Sequence, residues 1–220
     1  MTVGDPDEQL KLNDGKVDSQ GRLWIGSLTP QTNPTVFEFV GAKGSLYLIN
    51  KNKSYTTQVS GIKLSNGLTW NPEDTKFYYV DTMKLRVDKY DYDPNTGKLS
   101  NERTAFDLRE NNIGGYADGM TMDNEGKLWI AIFGSGMVVR VDPVNGKLLS
   151  SIKFPTLQIT SVCFGGSNYD ELFVTTGNFK QFTEFDKEYS KEEICHPLNG
   201  SCFRVTNLGI KGMPSLSVKL

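Results

Sequence analysis

Short runs of alternating apolar and polar residues, separated by polar turns, follow one another along the whole chain. One of the clearest runs begins with Leu23-Trp-Ile25 and follows the turn Asp18-Ser-Gln-Gly21. Alternation over a few residues is typical of β-strands, and no segment sustains the 3.6-residue period of an amphipathic helix. The pattern therefore predicts an all-β protein.

The strand pattern repeats about every 50 residues along the chain. Asp18-Ser-Gln-Gly-Arg-Leu-Trp24 reappears as Asp123-Asn-Glu-Gly-Lys-Leu-Trp129, and related turns stand at 71–77 and 167–172. A short inner segment precedes each copy, and two further strands follow it. The fourth strands are predicted at 55–60, 102–108, 148–154 and 216–220. Four strands in each unit of this length are typical of a β-propeller blade.

We therefore expect a single β-propeller domain over residues 1–220. Its blades are predicted at about 11–62, 63–110, 115–155 and 157–220. A blade cannot bury its own faces, so large side chains are needed between neighbouring blades. The aromatic residues that we assign to this packing are Trp24, Trp70, Tyr78 and Trp129.

Composition and charge exclude several classes of protein. The 220 residues include 24 Lys or Arg and 26 Asp or Glu, for a net charge of −2. A near-neutral chain without a basic block argues against nucleic acid as a partner. No apolar run is long enough to span a membrane. The polar segment 1–8 resembles neither a signal peptide nor a transit peptide, so we expect a cytoplasmic protein.

Cysteine and histidine are scarce, with three Cys and one His in the chain. The single His argues against a Ser-His-Asp or Cys-His hydrolase. Cys195, His196 and Cys202 lack the paired short spacings of a zinc site. We interpret them, together with the acidic stretch 184–193, as part of a solvated loop. Any chemistry must then come from Asp, Glu, Asn, Lys or a bound metal ion.

Three predicted inner strands open with an acidic or amide residue followed by Gly. These dipeptides are Asp14-Gly15, Asn66-Gly67 and Asp118-Gly119, and successive ones are separated by 52 residues. The inner strands of a propeller line its central channel, so these side chains would converge at one mouth. Their oxygen atoms suit Ca²⁺ or Mg²⁺, also Mn²⁺, and Zn²⁺ less well. The alternative is that each dipeptide simply forms a tight turn.

Several motifs from all four units occur together and in order. They are Leu12-Asn-Asp-Gly-Lys-Val-Asp18, Ser65-Asn-Gly-Leu-Thr-Trp70, Tyr78-Tyr-Val-Asp81, Tyr116-Ala-Asp-Gly-Met120, Gly126-Lys-Leu-Trp129, Thr160-Ser-Val-Cys-Phe-Gly-Gly166 and Glu171-Leu-Phe-Val-Thr175. Together they resemble the regucalcin family, also called senescence marker proteins or gluconolactonases, and most of all its insect-type branch. The resemblance runs from about Lys11 to Leu220.

This resemblance implies a six-bladed propeller that holds one divalent cation at the mouth of its channel and hydrolyses sugar lactones. We expect this cation to be Ca²⁺, with Mn²⁺, Mg²⁺ or Zn²⁺ as alternatives. Asn66 and Asp118 correspond to two of the family's metal ligands. Asp118 also corresponds to the general acid/base, which would take a proton from water and return it to the leaving hydroxyl. Asn13 corresponds to a substrate-binding amide, and Lys11 stands in the place of a substrate-binding Arg.

The chain also departs from the family pattern. The family's third metal ligand, a Glu in an N-terminal Gly-Glu motif, has no counterpart here, and the resemblance implies that about two of the family's six blades are missing. Lys11 keeps the charge of the Arg but not its bidentate fork. The loop at 30–35 contains no carboxylate. We therefore expect a fragment or a short product of a monomeric protein, with weak metal affinity.

Three functions remain in competition. The first is a divalent-metal-dependent sugar lactonase. The second is a non-catalytic, calcium-binding regulatory propeller, including the case of an inactive fragment. The third is a plain interaction propeller, which is disfavoured because such a protein needs no converging Asp and Asn side chains.

Overall fold

The computed structural model describes residues 9–33, 38–180 and 189–219, and in it antiparallel sheets follow one another along the chain. The first blade contains β1 (Lys11–Val17), β2 (Leu23–Leu28), β5 (Gly44–Ile49) and β6 (Tyr55–Ile62). The second contains β7 (Ser65–Trp70), β8 (Lys76–Asp81), β9 (Arg86–Asp93) and β10 (Lys98–Asp107).

The third blade contains β11 (Tyr116–Met122), β12 (Leu128–Phe133), β13 (Met137–Asp142) and β14 (Lys147–Lys153). The fourth contains β15 (Ile159–Gly165), β16 (Glu171–Thr176) and β17 (Cys202–Val205). Two elements lie between blade strands, namely a hairpin of β3 (Gln31–Asn33) and β4 (Glu38–Phe39), and the short helix α1 (Lys191–Ile194). The all-β, four-blade propeller arrangement predicted from the repeat is confirmed.

The hydrophobic core is divided into layers between successive blades. Trp24 and Phe77 share the layer between the first two blades, with Trp70 at its margin. Tyr78 belongs to the next layer, which β11 and β12 complete, and Trp129 belongs to the layer that β15 and β16 cover. All four aromatic residues assigned to inter-blade packing therefore lie where the repeat predicted them. Because each layer needs both blades, burial of these rings fixes the angle between neighbours.

The predicted fourth strand of the last blade is wrong. Within the described residues, the chain after β17 contains no further strand, and 216–219 run away from that blade. Asn207 (φ 61°) and Gly209 (φ 70°) adopt left-handed conformations, and the neighbouring Leu208 and Ile210 pack against the core between the last two blades. The tail then runs across the third blade, and the Lys219 N–H donates to the Gly21 carbonyl of the first blade over 2.8 Å.

Two further details differ from the sequence prediction. The insertion between β2 and β5 forms the β3–β4 hairpin, which the sequence pattern did not indicate. The described part of the stretch 184–193 is not all loop, because α1 begins in it. Ser190 and Glu193 form a capping box at the start of α1, and Ile194 is buried at its end, which explains the helix. Residues 184–188 lie outside the described residues. No helix in the described ranges is long and apolar enough to cross a membrane.

Candidate functional site

A β-bulge near the start of each inner strand positions the predicted site residues. The bulge in β7 falls at Asn66 and Gly67, and that in β11 at Asp118 and Gly119. Similar shifts occur in β1 after Leu12 and in β15 after Ile159. A bulge turns a side chain away from the ordinary alternation of a strand. The same distortion in neighbouring inner strands therefore directs polar groups to one end of the channel.

The three Asp-Gly and Asn-Gly dipeptides are not tight turns. Each lies inside an inner strand, and none of their glycines has a positive φ. The glycines instead allow close approach of the next strand. A β-carbon on Gly67 would lie 2.6 Å from the backbone nitrogen of Met120 and 2.7 Å from the carbonyl oxygen of Asp118. The absent side chain is what lets β7 and β11 bring Asn66 and Asp118 together.

These bulges open onto a cavity of about 300 Å³ at the mouth of the channel. The residues that line it are Asn13, Gln31, Leu64, Asn66, Thr82, Tyr116, Asp118, Phe133, Thr160 and Phe179. The structure thus brings together three of the four predicted site residues, from three different blades. Lys11 is not among the lining residues. It begins β1, is exposed and pairs with Leu28 at the outer end of the strand.

The amides of Asn13 and Asn66 form a directed hydrogen-bond network. Nδ2 of Asn13 donates to the Ser65 carbonyl over 2.7 Å and to Oδ1 of Asn66 over 2.9 Å. Nδ2 of Asn66 donates to the hydroxyl of Thr82 over 2.7 Å, and that hydroxyl donates to the Ala117 carbonyl over 2.8 Å. The donor groups of both amides therefore face the protein, which leaves oxygen atoms for a ligand.

Asp118 is a half-buried carboxyl group with an elevated pKa. Burial is the main cause, and the neighbouring Asp14 carboxylate raises the pKa further. The N–H of Gly119 acts in the opposite direction. The dominant charged neighbour of Asp118 is thus another carboxylate, which disfavours ionisation of both. A cation in the cavity would relieve this unfavourable charge.

A Lys–Asp pair lies in the channel beside the cavity. Asp14 and Lys16 are two residues apart on β1, and Nζ of Lys16 reaches across the channel to the Met120 carbonyl over 3.0 Å. Burial raises the pKa of Asp14 and lowers that of Lys16, and each charge partly offsets this effect on the other. The pair joins the first blade to the third.

An aromatic wall closes one side of the cavity. Phe133 and Phe179 meet edge to face with ring centroids 6.0 Å apart. The backbone of Phe179 is held at both its N–H and its carbonyl by the side chain of Gln158. Sequence reasoning missed this wall, and it also missed Thr82. Thr82 directly follows the motif Tyr78-Tyr-Val-Asp81, but neither its spacing nor its residue type distinguishes it in the sequence.

Cys195, His196 and Cys202 are not among the residues that line the cavity. All three cysteines of the chain are free and exposed. His196 instead accepts a hydrogen bond at Nδ1 from the N–H of Leu198 over 3.2 Å.

The donor set of the cavity fits a hard divalent cation. It offers one carboxylate and an amide oxygen, the ligand types that Ca²⁺ and Mg²⁺ prefer. No group of three His, Cys, Asp or Glu side chains within 9–33, 38–180 and 189–219 is arranged to hold a metal ion. An ion in this cavity would therefore be held by Asp118 and Asn66, with other oxygen ligands completing its coordination.

Comparison with known proteins shows where this arrangement belongs. Residues 1–178 match the family model described as "SMP-30/Gluconolactonase/LRE-like region". Regucalcin of Bos taurus is 39% identical over 214 residues, which cover 97% of this chain and 68% of that protein. Regucalcin of Homo sapiens is 40% identical over 218 residues, which cover 98% of this chain and 69% of that protein.

Solved structures agree with these sequence matches. A luciferin-regenerating enzyme superposes with a TM-score of 0.86 at 38% identity, over 96% of this chain and 66% of the other. Regucalcin of Agrobacterium tumefaciens, a calcium-binding protein, gives a TM-score of 0.78 at 27% identity, over 95% of this chain and 65% of the other. The chain thus spans about two thirds of the length of the relatives that it matches.

Proposed function

Since the chain belongs to the SMP-30/gluconolactonase/LRE-like family, we propose that it hydrolyses sugar lactones in a divalent-metal-dependent reaction at the cavity between Asn66 and Asp118. The observation that supports this most directly is Asp118 itself. It is a half-buried carboxyl group with a raised pKa that lines a cavity beside amide oxygens. A perturbed carboxyl group in such a cavity is typical of a catalytic acid or base.

Asn66 and Asp118 would hold the cation. When bound, a divalent ion polarises an ester carbonyl and stabilises the negative charge that develops on it. Ca²⁺ is our first choice because all donors are oxygen atoms, with Mn²⁺, Mg²⁺ and Zn²⁺ as alternatives.

Asp118 would move the proton during hydrolysis. Its carboxylate accepts a proton from the water molecule whose oxygen bonds to the lactone carbonyl carbon. The bond between that carbon and the ring oxygen then breaks, and Asp118 returns the proton to this oxygen as the hydroxyl group of the product. Positioned proton transfer of this kind contributes roughly 10²–10⁴-fold to a rate.

The remaining walls would orient the sugar. Oδ1 of Asn13 is available to a substrate hydroxyl because Nδ2 is used within the protein. Gln31 offers a second amide at the cavity, and the rings of Phe133 and Phe179 offer an apolar face to the C–H groups of the substrate. Lys11 lies outside the lining of the cavity, so our proposal assigns the sugar contacts to Asn13 and Gln31.

The test is hydrolysis of D-glucono-1,5-lactone by the 220-residue chain, measured above the spontaneous rate with added Ca²⁺ or Mn²⁺ and with EDTA. We expect a metal-dependent rate that EDTA removes and that Asp118→Asn lowers by about 10²-fold or more. Asp170→Asn is the control, because Asp170 lies before β16, away from the cavity lining. Full activity of Asp118→Asn would refute the assignment.

The calcium-binding character of the A. tumefaciens relative makes non-catalytic binding the second candidate. Lactone hydrolysis measured with and without EDTA distinguishes these two candidates, and titration calorimetry with Ca²⁺ and Mn²⁺ distinguishes both from a propeller that binds no cation. Binding without turnover would replace the lactonase by a binding protein, and absence of both would leave only an interaction propeller.

A further inference from the structure

An asparagine can serve a cation only through its oxygen, so the orientation of the Asn66 amide decides what the cavity can bind. Asn66 is only 6% exposed, and its carboxamide has a hydrogen-bond partner on each side. Nδ2 faces Thr82 over 2.7 Å, and Oδ1 faces Nδ2 of Asn13 over 2.9 Å. Rotating the amide by half a turn would exchange its nitrogen and oxygen.

Thr82 makes the reversed orientation unfavourable. A hydroxyl group has one hydrogen atom, and Thr82 gives it to the Ala117 carbonyl over 2.8 Å. Its oxygen can then only accept from Asn66. A reversed Asn66 would place Oδ1 against the lone pairs of this hydroxyl, leaving two buried acceptors face to face.

The Asn13 side of the network favours the same orientation. Nδ2 of Asn13 already donates to the Ser65 carbonyl over 2.7 Å, which fixes it as the donor toward Asn66. Two backbone carbonyls, of Ser65 and Ala117, therefore anchor the network at its ends. Since a carbonyl can only accept, Nδ2 of Asn13 donates both to Ser65 and to Asn66. From Asn66 the donation runs on through Thr82 to the Ala117 carbonyl, so the donor and acceptor of every bond are fixed.

Thr82 is itself held firmly. It is 2% exposed, begins a short 3-10 helix at Thr82–Lys84, and donates its own N–H to the Leu64 carbonyl over 3.0 Å. Its hydroxyl thereby connects the end of β8 to β11, the strand of Asp118. Asn66 and Asp118 are thus linked through Thr82.

We infer that Thr82 is a positioning residue that directs the oxygen of Asn66 into the cavity and so creates one of its cation ligands. This inference rests on the proposed function, because it assigns Asn66 to a cation. It is nevertheless a statement about the amide orientation, which can be observed without a cation. Groups that orient a metal ligand typically affect metal affinity about 10–100-fold.

The experiment compares Thr82→Val, which loses the hydroxyl at nearly constant shape, with Thr82→Ser, which keeps it. The control is Thr69→Val, a buried threonine further along β7 that does not line the cavity. Calorimetry with Mn²⁺ alone should show about 10-fold weaker binding for Thr82→Val and near-normal binding for Thr82→Ser and Thr69→Val. Normal Mn²⁺ affinity of folded Thr82→Val would overturn the inference.

A second measurement needs no metal ion. In ¹⁵N-labelled protein, the Nδ2 protons of Asn66 should show a nuclear Overhauser effect to the side chain of residue 82 in wild type and Thr82→Ser, and lose it in Thr82→Val. An unchanged pattern in Thr82→Val would overturn the inference. If the wild type fails to bind Mn²⁺, the proposed function fails while this result still decides the role of Thr82. If it binds Mn²⁺ without lactone hydrolysis, only the catalytic assignment fails.

Discussion

The indole N–H of Trp24 donates to the carboxylate of Asp18 over 2.9 Å, and Trp129 makes the same bond to Asp123 at the same distance. Both carboxylates are fully buried. Each also accepts backbone N–H groups of its own turn and the Nε of an arginine, Arg22 or Arg140. In each of these two blades, one buried carboxylate therefore connects the turn, the tryptophan of the blade core and an arginine guanidinium.

Replacing either carboxylate by an amide should strongly destabilise the protein. In Asp123→Asn, the side-chain NH₂ group would face N–H donors whose hydrogen bonds the carboxylate accepts in wild type. We therefore expect a loss of about 2–4 kcal/mol in the free energy of unfolding. Urea unfolding measures it. The control Asp93→Asn changes an exposed turn carboxylate and should cost about 0.5 kcal/mol or less. Equal losses for the two variants would contradict the role given to Asp123.

The link between the turn carboxylate and the core tryptophan explains why the repeat could be predicted from the sequence. Trp24 lies six positions after Asp18, and the same offset relates Trp129 to Asp123 and Phe77 to Asn71. The side chain of Phe77 has no N–H group, so this blade needs no carboxylate to pair with it, and Oδ1 of Asn71 accepts only from backbone N–H groups of the turn. Because turn and core are joined through one side chain, the spacing is conspicuous and the blades could be predicted.

Other features depend on contacts between distant segments and leave no such pattern. The tail after β17 alternates enough to suggest a strand, but after the left-handed residues Asn207 and Gly209 it runs on to the first blade, where Lys219 pairs with Gly21. In the site, the spacing of 52 residues predicted Asn66 and Asp118 because both stand on inner strands. Thr82 and Phe179 reach the cavity from other elements, and no spacing relates them to it.

The glycine after Asn66 should be essential to the approach of β7 and β11. The β-carbon of an alanine at position 67 would clash with backbone atoms of Met120 and Asp118. Side-chain rotation cannot relieve a clash with the backbone, so the strands themselves would have to move. We expect Gly67→Ala to cost about 1–3 kcal/mol of unfolding free energy and to weaken Mn²⁺ binding. Gly114→Ala is the matched control, since its nearest neighbour would be 3.9 Å away. Similar Tm values for both variants would contradict this interpretation.

Removing Lys16 should make stability more dependent on pH. In wild type, the positive charge of Lys16 partly offsets the rise that burial causes in the pKa of Asp14. Lys16→Met removes this charge, so the pKa of Asp14 should rise further and the variant should be less stable than wild type at neutral pH. A carboxyl group with a raised pKa in the folded state favours folding more as pH falls, so the deficit should shrink toward acid. Chemical unfolding at pH values between 4 and 7 measures this.

The double variant Asp14→Asn/Lys16→Met removes both charges and should show a smaller pH dependence than Lys16→Met alone. A deficit of Lys16→Met that stays constant over this pH range would instead assign the effect to the lost hydrogen bond to Met120.

The aromatic wall should affect substrate binding and not the cation. Phe179 lines the cavity in contact with Phe133 and is 50% exposed. We expect Phe179→Ala to raise KM for glucono-1,5-lactone about 10-fold, with little change in Mn²⁺ affinity. Phe173→Ala, on β16 and outside the lining, is the control. A KM unchanged in Phe179→Ala would remove the wall from the substrate site.

Alkaline pH should weaken the packing between the second and third blades through Tyr78. Burial is the main cause that raises the pKa of Tyr78 to about 12, with Glu73 and Asp142 acting in the same direction. Since this pKa lies above the ordinary value of 10.0, the neutral phenol favours folding below pH 10, and this stability is lost as pH rises toward 12.

Tyr78→Phe has no phenol to ionise at this position. Between pH 10 and pH 12, its free energy of unfolding should therefore fall by roughly 1–2 kcal/mol less than that of wild type. It should also lose one late transition in the tyrosinate absorbance titration. Tyr55→Phe, at an exposed position on β6, should retain both the late transition and the wild-type alkaline slope; the same slope in Tyr78→Phe would show that other groups govern alkaline unfolding.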